Sequence, residues 1–215
     1  IYFAGSAKQT FTNSGTITPR IYNMDIDNTY GVTISSTNNI PVFRVNLFDG
    51  FITNSSKLTI GDGQTGVVQR GGNQGNLASG YFDSAPALNL GTNPNLYLIY
   101  YTALPITTGY EIPASTPVYY FRSVNIQGTT LNSNVTITNS LALDSGKFDI
   151  AANTVTINNG AIVVGNGTIS GGATSNLTFT GSTAATLPNI INGLNNLTIN
   201  NSGGVTMTAD NKIIG

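Results

Sequence analysis

Short apolar doublets return every 20 to 22 residues between Val135 and Ile213, in three parallel series. The first runs Val135/Ile137, Val155/Ile157, Leu177/Phe179 and Leu197/Ile199, with steps of 20, 22 and 20. The second runs Leu141/Leu143, Ile162/Val164, Ala185/Leu187 and Val205/Met207, and the third Phe148/Ile150, Ile169, Ile190 and Ile213. An i, i+2 apolar pair around a small polar residue is the pattern of a strand with one buried face. The residues between doublets are Asn, Ser, Gly, Asp and Thr, which favour turns. Three short strands per repeat of about 21 residues predict an all-β parallel β-helix, or β-solenoid, whose coils stack on one another. A single coil buries too little to offset its backbone entropy, so the fold needs neighbouring coils and cappings.

The polar positions keep the same phase. Thr136, Thr156, Thr178 and Thr198 recur on the outward side of the first strand. The following turns are Thr138-Asn139-Ser140, Asn158-Asn159-Gly160, Thr180-Gly181-Ser182 and Asn200-Asn201-Ser202, where Asn side chains are expected to hydrogen-bond along the stack. The second outward position alternates as Thr138, Asn158, Thr180 and Asn200, which breaks the two-column Thr array that an ice-binding face requires.

The N-terminal part keeps similar time: Phe3, Met24, Val45 and Val67; Phe11, Val32 and Ile52; Ile40 and Ile60. Residues 23–34 align without a gap on 196–207, Leu58–Gly63 resembles Val155–Gly160, and Gly50 and Gly146 fall in matching turns. Between Gln64 and Val118 the period falters. That stretch holds five of the 8 prolines, a Gly-rich loop from Gly71 to Gly75, and Tyr81, Phe82, Tyr97, Tyr100, Tyr101 and Tyr110. Proline is poorly tolerated in inner strands. The expected organisation is therefore coils over 1–63, a Pro/Tyr-rich insertion or irregular coils over 64–118, and coils over 119–215. About ten coils are expected in all, with no helix.

Composition narrows function. With 8 basic and 9 acidic residues the net charge is −1, so no basic face for nucleic acid or anionic lipid is present. The surface must be covered by neutral Asn, Thr, Ser and Gly, and copies of such a chain repel one another weakly. There is no Cys and no His, which removes thiol chemistry and zinc or copper sites of the usual kind. No apolar run approaches the ~18–20 residues of a membrane span, so no membrane insertion is expected of this segment. Ile1-Tyr2-Phe3-Ala4 reads as strand rather than as a leader, and Gly215 closely follows Ile213, so both ends are expected to be cuts through a longer repeat protein.

The strings at 196–210, at 107–115 with 124–150, and at 165–179 resemble repeat units of very large secreted proteins of Bacteroidota. Those are repetitive adhesin-like surface proteins, commonly exported by the type IX system. The resemblance covers most of the chain, least well 64–95. It implies an extracellular, cell-surface, non-enzymatic segment of a fibre or adhesin that associates with copies of itself into a homo-oligomeric filament. Asp83-Ser84-Ala85 also resembles the O-glycosylation triplet of that phylum.

Other chemistries are weighed on the residues. A β-helix also suits polysaccharide lyases and glycoside hydrolases, which need two carboxyls roughly 5–10 Å apart. Asp25 and Asp27 flank Ile26 on one strand face, yet no basic cluster or adjoining aromatic platform accompanies them. Turns such as Gly61-Asp62-Gly63 and Asp144-Ser145-Gly146 have the oxygen ligands calcium takes, but the repeated Asp of calcium-binding nonapeptides is missing, and no cofactor is expected. Tyr81, Phe82, Tyr97, Tyr100, Tyr101 and Tyr110 are the best interaction residues. They fit a contact with another copy or with a cell-surface glycan, or packing back onto the coil, since Tyr gives rigid contact area at low entropy cost.

Overall fold

The computed structural model describes residues 1–72 and 79–207. Its strands are stacked in parallel as β-solenoid coils, about nine turns of about 22 residues each, slightly fewer and longer than the sequence period suggests. Ser55–Lys57 forms a single 3-10 turn. The chain divides into two compact units. The first comprises Ile1–Ala103 with Gly109–Pro113; the second comprises Leu104–Thr108 with the chain from Ala114 onward.

In the first unit Tyr2–Ala4 and Gln9–Asn13 lie on the long bent strand Ile21–Ser36, which lies on Ile40–Thr53. Three strands of the next coil, Leu58–Ile60, Thr65–Arg70 and Tyr81–Phe82, then pair with successive parts of Ile40–Thr53. Ala87–Leu88 and Asn95–Tyr100 add a further coil. Coil strands thus recur within the proline-rich stretch, at Thr65–Arg70, Tyr81–Phe82, Ala87–Leu88, Asn95–Tyr100 and Ile106–Thr107. In the second unit Val118–Val124, Val135–Ser145, Thr154–Ile157, Asn176–Gly181 and Asn196–Asn201 form one parallel sheet. Ile106–Thr107, Thr129–Thr130, Lys147–Asp149, Thr168–Ser170 and Ile190–Ile191 form a second.

The first series of doublets stacks as its spacing predicts. Val135, Val155, Leu177 and Leu197 are partners in register, as are Ile137, Ile157, Phe179 and Ile199, with the four outward threonines between them. Phe148, Ile169 and Ile190 stack in the second sheet. Ile213 and the centre of the Gly-rich loop lie outside the described residues.

Other registers differ from the sequence expectation. Leu141 faces Val163, so Ile162 and Val164 point outward, 55% and 43% exposed. The turn after Ile157 absorbs two extra residues, not one. Ile137 to Ile157 is a step of 20 and Leu141 to Val163 a step of 22. Ala161, 3% exposed, takes an inward place there. Because side chains alternate, an error of one residue exchanges the two faces. In the first unit Phe3 pairs with Ile26 rather than Met24, Val45 with Val68 rather than Val67, and Ile40 with Leu58 rather than Ile60. Met24 with Val45, and Val32 with Ile52, are in register as expected.

The corners share a device the periodicity does not reveal. Asn28, Asn125 and Asn201 each accept the backbone N–H two residues on through Oδ1, from Tyr30, Gln127 and Gly203 at 2.9–3.0 Å. Each donates through Nδ2 to a carbonyl of the coil before it, on Ala7, Leu104 and Thr183. Each is followed three residues later by a glycine with φ of +80°, +105° or +83°, at Gly31, Gly128 and Gly204, a conformation a Cβ disfavours. Gly31 and Gly204 are equivalent in the gapless alignment of 23–34 on 196–207.

Candidate functional site

The six aromatic residues singled out from the sequence do not form one exposed patch. Phe82 is 2% exposed and faces Ile52 in the core. Tyr100 is 1% exposed and stands in an inward column with Phe3, Ile26, Leu47 and Arg70 of successive coils. Tyr97 and Tyr101 are half-buried, Tyr97 opposite Val67. Tyr81 and Tyr110 are exposed, on a coil strand and on the Gly109–Pro113 segment.

A charge in that apolar column requires a partner. Arg70 Nη1 donates to Glu111 Oε1 at 2.9 Å, with side-chain exposures of 7% and 1%. The same oxygen accepts Tyr100 Oη–H at 3.0 Å and the Gly109 N–H at 2.9 Å, while Arg70 Nε donates to the Gly80 carbonyl. Glu111 Oε2 is buried without a hydrogen-bond partner among the described residues. Burial pushes the Tyr100 hydroxyl well above its usual range; the Glu111 charge adds to the shift and the Arg70 charge opposes it. The hydroxyl therefore stays protonated and donates.

Aromatic pairing brings in three residues that the sequence did not single out, Phe51, Tyr22 and Phe43. Tyr81 stacks on Phe51 of the preceding coil at 5.5 Å with rings 20° apart. Lys8 Nζ lies 5.7 Å from the Phe51 ring centre, within cation–π range. A Cβ on Gly31 would come within 2.9 Å of that ring. Tyr22, 69% exposed, stacks on Phe43 at 5.0 Å and 23°. Both pairs join strand neighbours in successive coils. The corrected register would have revealed them; residue spacing alone did not.

The carboxylates are held by local partners. Asp25 accepts from Asn46 Nδ2, and Asp27 Oδ2 accepts from the Tyr2 hydroxyl at 2.5 Å. Asp62 Oδ1 accepts the Gln64 and Thr65 amides, and Arg20 lies 3.4 Å from Oδ2. These contacts hold the carboxyl below its usual range, with the Thr65 hydrogen bond the largest cause. Asp144 pairs with Arg122 at 2.6 Å. Among the described residues no group of three or more Asp, Glu, His or Cys side chains is placed to hold a metal ion. Asp83 accepts the Asn54 and Ser55 amides and the Ser55 and Ser84 hydroxyls. Ser84 of the Asp-Ser-Ala triplet is thus engaged in a turn. In the Asn-rich turns Thr180 Oγ1 donates to Asn158 Oδ1 at 2.9 Å, and Asn159 Oδ1 accepts the Ser182 and Thr183 amides of the next coil; Asn-to-Asn contacts lie instead where Asn195 and Asn196 donate through Nδ2 to Asn176 Oδ1 at 3.2 and 3.0 Å. No helix among the described residues is long and apolar enough to cross a membrane.

Compared with family models, curated proteins and solved structures, the chain matches none.

Proposed function

We propose that this chain is a non-enzymatic structural segment of a large extracellular surface fibre or adhesin, of the Bacteroidota repeat type it resembles, in which copies associate laterally into a filament. The observation that carries the reading is the in-register stacking of parallel coils. Each coil buries its apolar columns only against its neighbours, so length is gained by adding coils without redesigning a core. The ionisable groups serve this architecture: Arg70, Glu111 and Asp83 are spent on internal contacts.

Self-association is supported by two features. A net charge of −1 opposes contact between copies only weakly. Ile162 and Val164 present apolar side chains outward beside one another on a coil strand. Sedimentation equilibrium over a wide concentration range tests the filament: mass must grow with concentration, and a strict monomer at high concentration contradicts it. Antibody against the chain, applied to intact producing cells, tests the location; labelling only after lysis contradicts it.

A further inference from the structure

One hollow in the first unit belongs to none of the groups described so far. It has a volume of about 470 Å³, inside the ~300–1,000 Å³ range of small-ligand sites, and is lined by Gly63, Gln64, Gly91, Thr92, Asn93 and Asn95. Two turns of successive coils build it. The Gly63 N–H donates to the Asn89 carbonyl at 2.9 Å, and the Asn95 N–H to the Gln64 carbonyl at 3.0 Å, so the turns are fixed to one another. Gly91, at φ +63°, lies so close beneath the Gly63 carbonyl that a Cβ there would sit 2.3 Å from the oxygen. Asp62 holds the entry to the first turn through the Gln64 and Thr65 amides.

The side chains of Gln64, Thr92, Asn93 and Asn95 make no hydrogen bond to any described residue. Three amides and a hydroxyl therefore reach a preformed hollow with their donors and acceptors free. The nearest charges, Asp62 and Arg20, face one another. We infer that this hollow is a binding site for a neutral carbohydrate. An amide offers a donor and an acceptor side by side, matching vicinal hydroxyls that donate and accept in turn. A charged ligand would find no compensating ion. An apolar peptide side chain would find no apolar side chain to pack on, because the lining is glycine and polar residues.

The inference goes beyond the structural reading and does not depend on it: a chain that stays monomeric can still bind sugar, and a filament can form without it. The test is titration of the 15N-labelled chain with cellotetraose, laminaritetraose and mannotetraose, each to about 20 mM, the weak end of the affinity scale. The side-chain NH2 signals of Gln64, Asn93 and Asn95 must shift saturably with at least one of them. The double variant Gln64→Ala/Asn93→Ala, at two exposed positions, must keep the remaining backbone spectrum and lose about tenfold in affinity. Asn134→Ala, in the other unit, must bind as the parent does. Tetragalacturonate, the charged comparison, must bind more weakly. The inference is overturned if none of the three neutral sugars moves those signals, if the double variant binds undiminished, or if the charged sugar binds equally well.

Discussion

Asn28 Nδ2 donates to the carbonyl of Ala7, 21 residues earlier, at 2.9 Å, tying one coil to the coil before it from inside a corner. Asn125 repeats the bond to Leu104 across the same separation and also at 2.9 Å. Both side chains are essentially buried. Truncation leaves carbonyls and a turn amide without partners, at about 1–3 kcal/mol for each such site. Asn28→Ala and Asn125→Ala are expected to lower stability by that amount in urea unfolding. Asn54→Ala, whose Nδ2 makes a similar bond to the Ile34 carbonyl from a more exposed turn, is expected to cost less.

Gly146 and Gly160 separate two effects of a missing Cβ. Both have φ in the left-handed region, +69° and +77°. A Cβ at Gly146 would lie 2.0 Å from the Asn125 carbonyl oxygen, whereas one at Gly160 would meet nothing within 4 Å. Gly160→Ala is expected to cost only the backbone term, about 1–2 kcal/mol. Gly146→Ala must also displace the coil beneath it and is expected to cost clearly more. Thermal unfolding of the two variants side by side checks the order.

The buried Arg70–Glu111 pair predicts strong non-additivity. Removing one partner, by Arg70→Leu or Glu111→Leu, leaves an uncompensated charge in an apolar column and is expected to cost about 3–5 kcal/mol. The double substitution is expected to recover most of that loss. Unfolding free energies for the four corners of the cycle give the coupling, and simple additivity would contradict the account.

Asp83 predicts an acid limb. Burial pushes its carboxyl up, but hydrogen bonds from Ser55, Asn54 and Ser84 outweigh this and hold it below its usual range. A folded value below the unfolded one, about 3.9, means the contribution is complete above that value and is lost as pH falls through the folded value. Asp83→Asn is expected to lower stability at neutral pH and to flatten the fall in Tm below about pH 4. Asp62 is shifted the same way and supplies a residual slope.

The sequence disclosed the fold through Val135, Val155, Leu177 and Leu197, because regular turns kept the inward column in phase. It misplaced Ile162 and Val164 because turn length is free to change while strand alternation is not, so two extra residues in a turn leave no apolar mark. Arg70 was illegible for a different reason: its partner arrives from Glu111, 41 residues away, through a segment with no coil period. Tyr100 and Phe82 resembled contact residues by composition, yet aromatic side chains fill a coil interior as readily as they cover a surface. The Gln64–Asn95 hollow depends on how two turns sit across a coil step, which residue order does not encode.

The most direct test of the stacked coils is a backbone NOE map between Thr154–Ile157 and Asn176–Gly181. Parallel, in-register pairing predicts interstrand contacts from Hα to HN linking Val155 with Leu177 and Ile157 with Phe179, without close Hα–Hα contacts between the strands. Strong Hα–Hα contacts joining these segments in opposite directions would contradict the solenoid and everything argued from it.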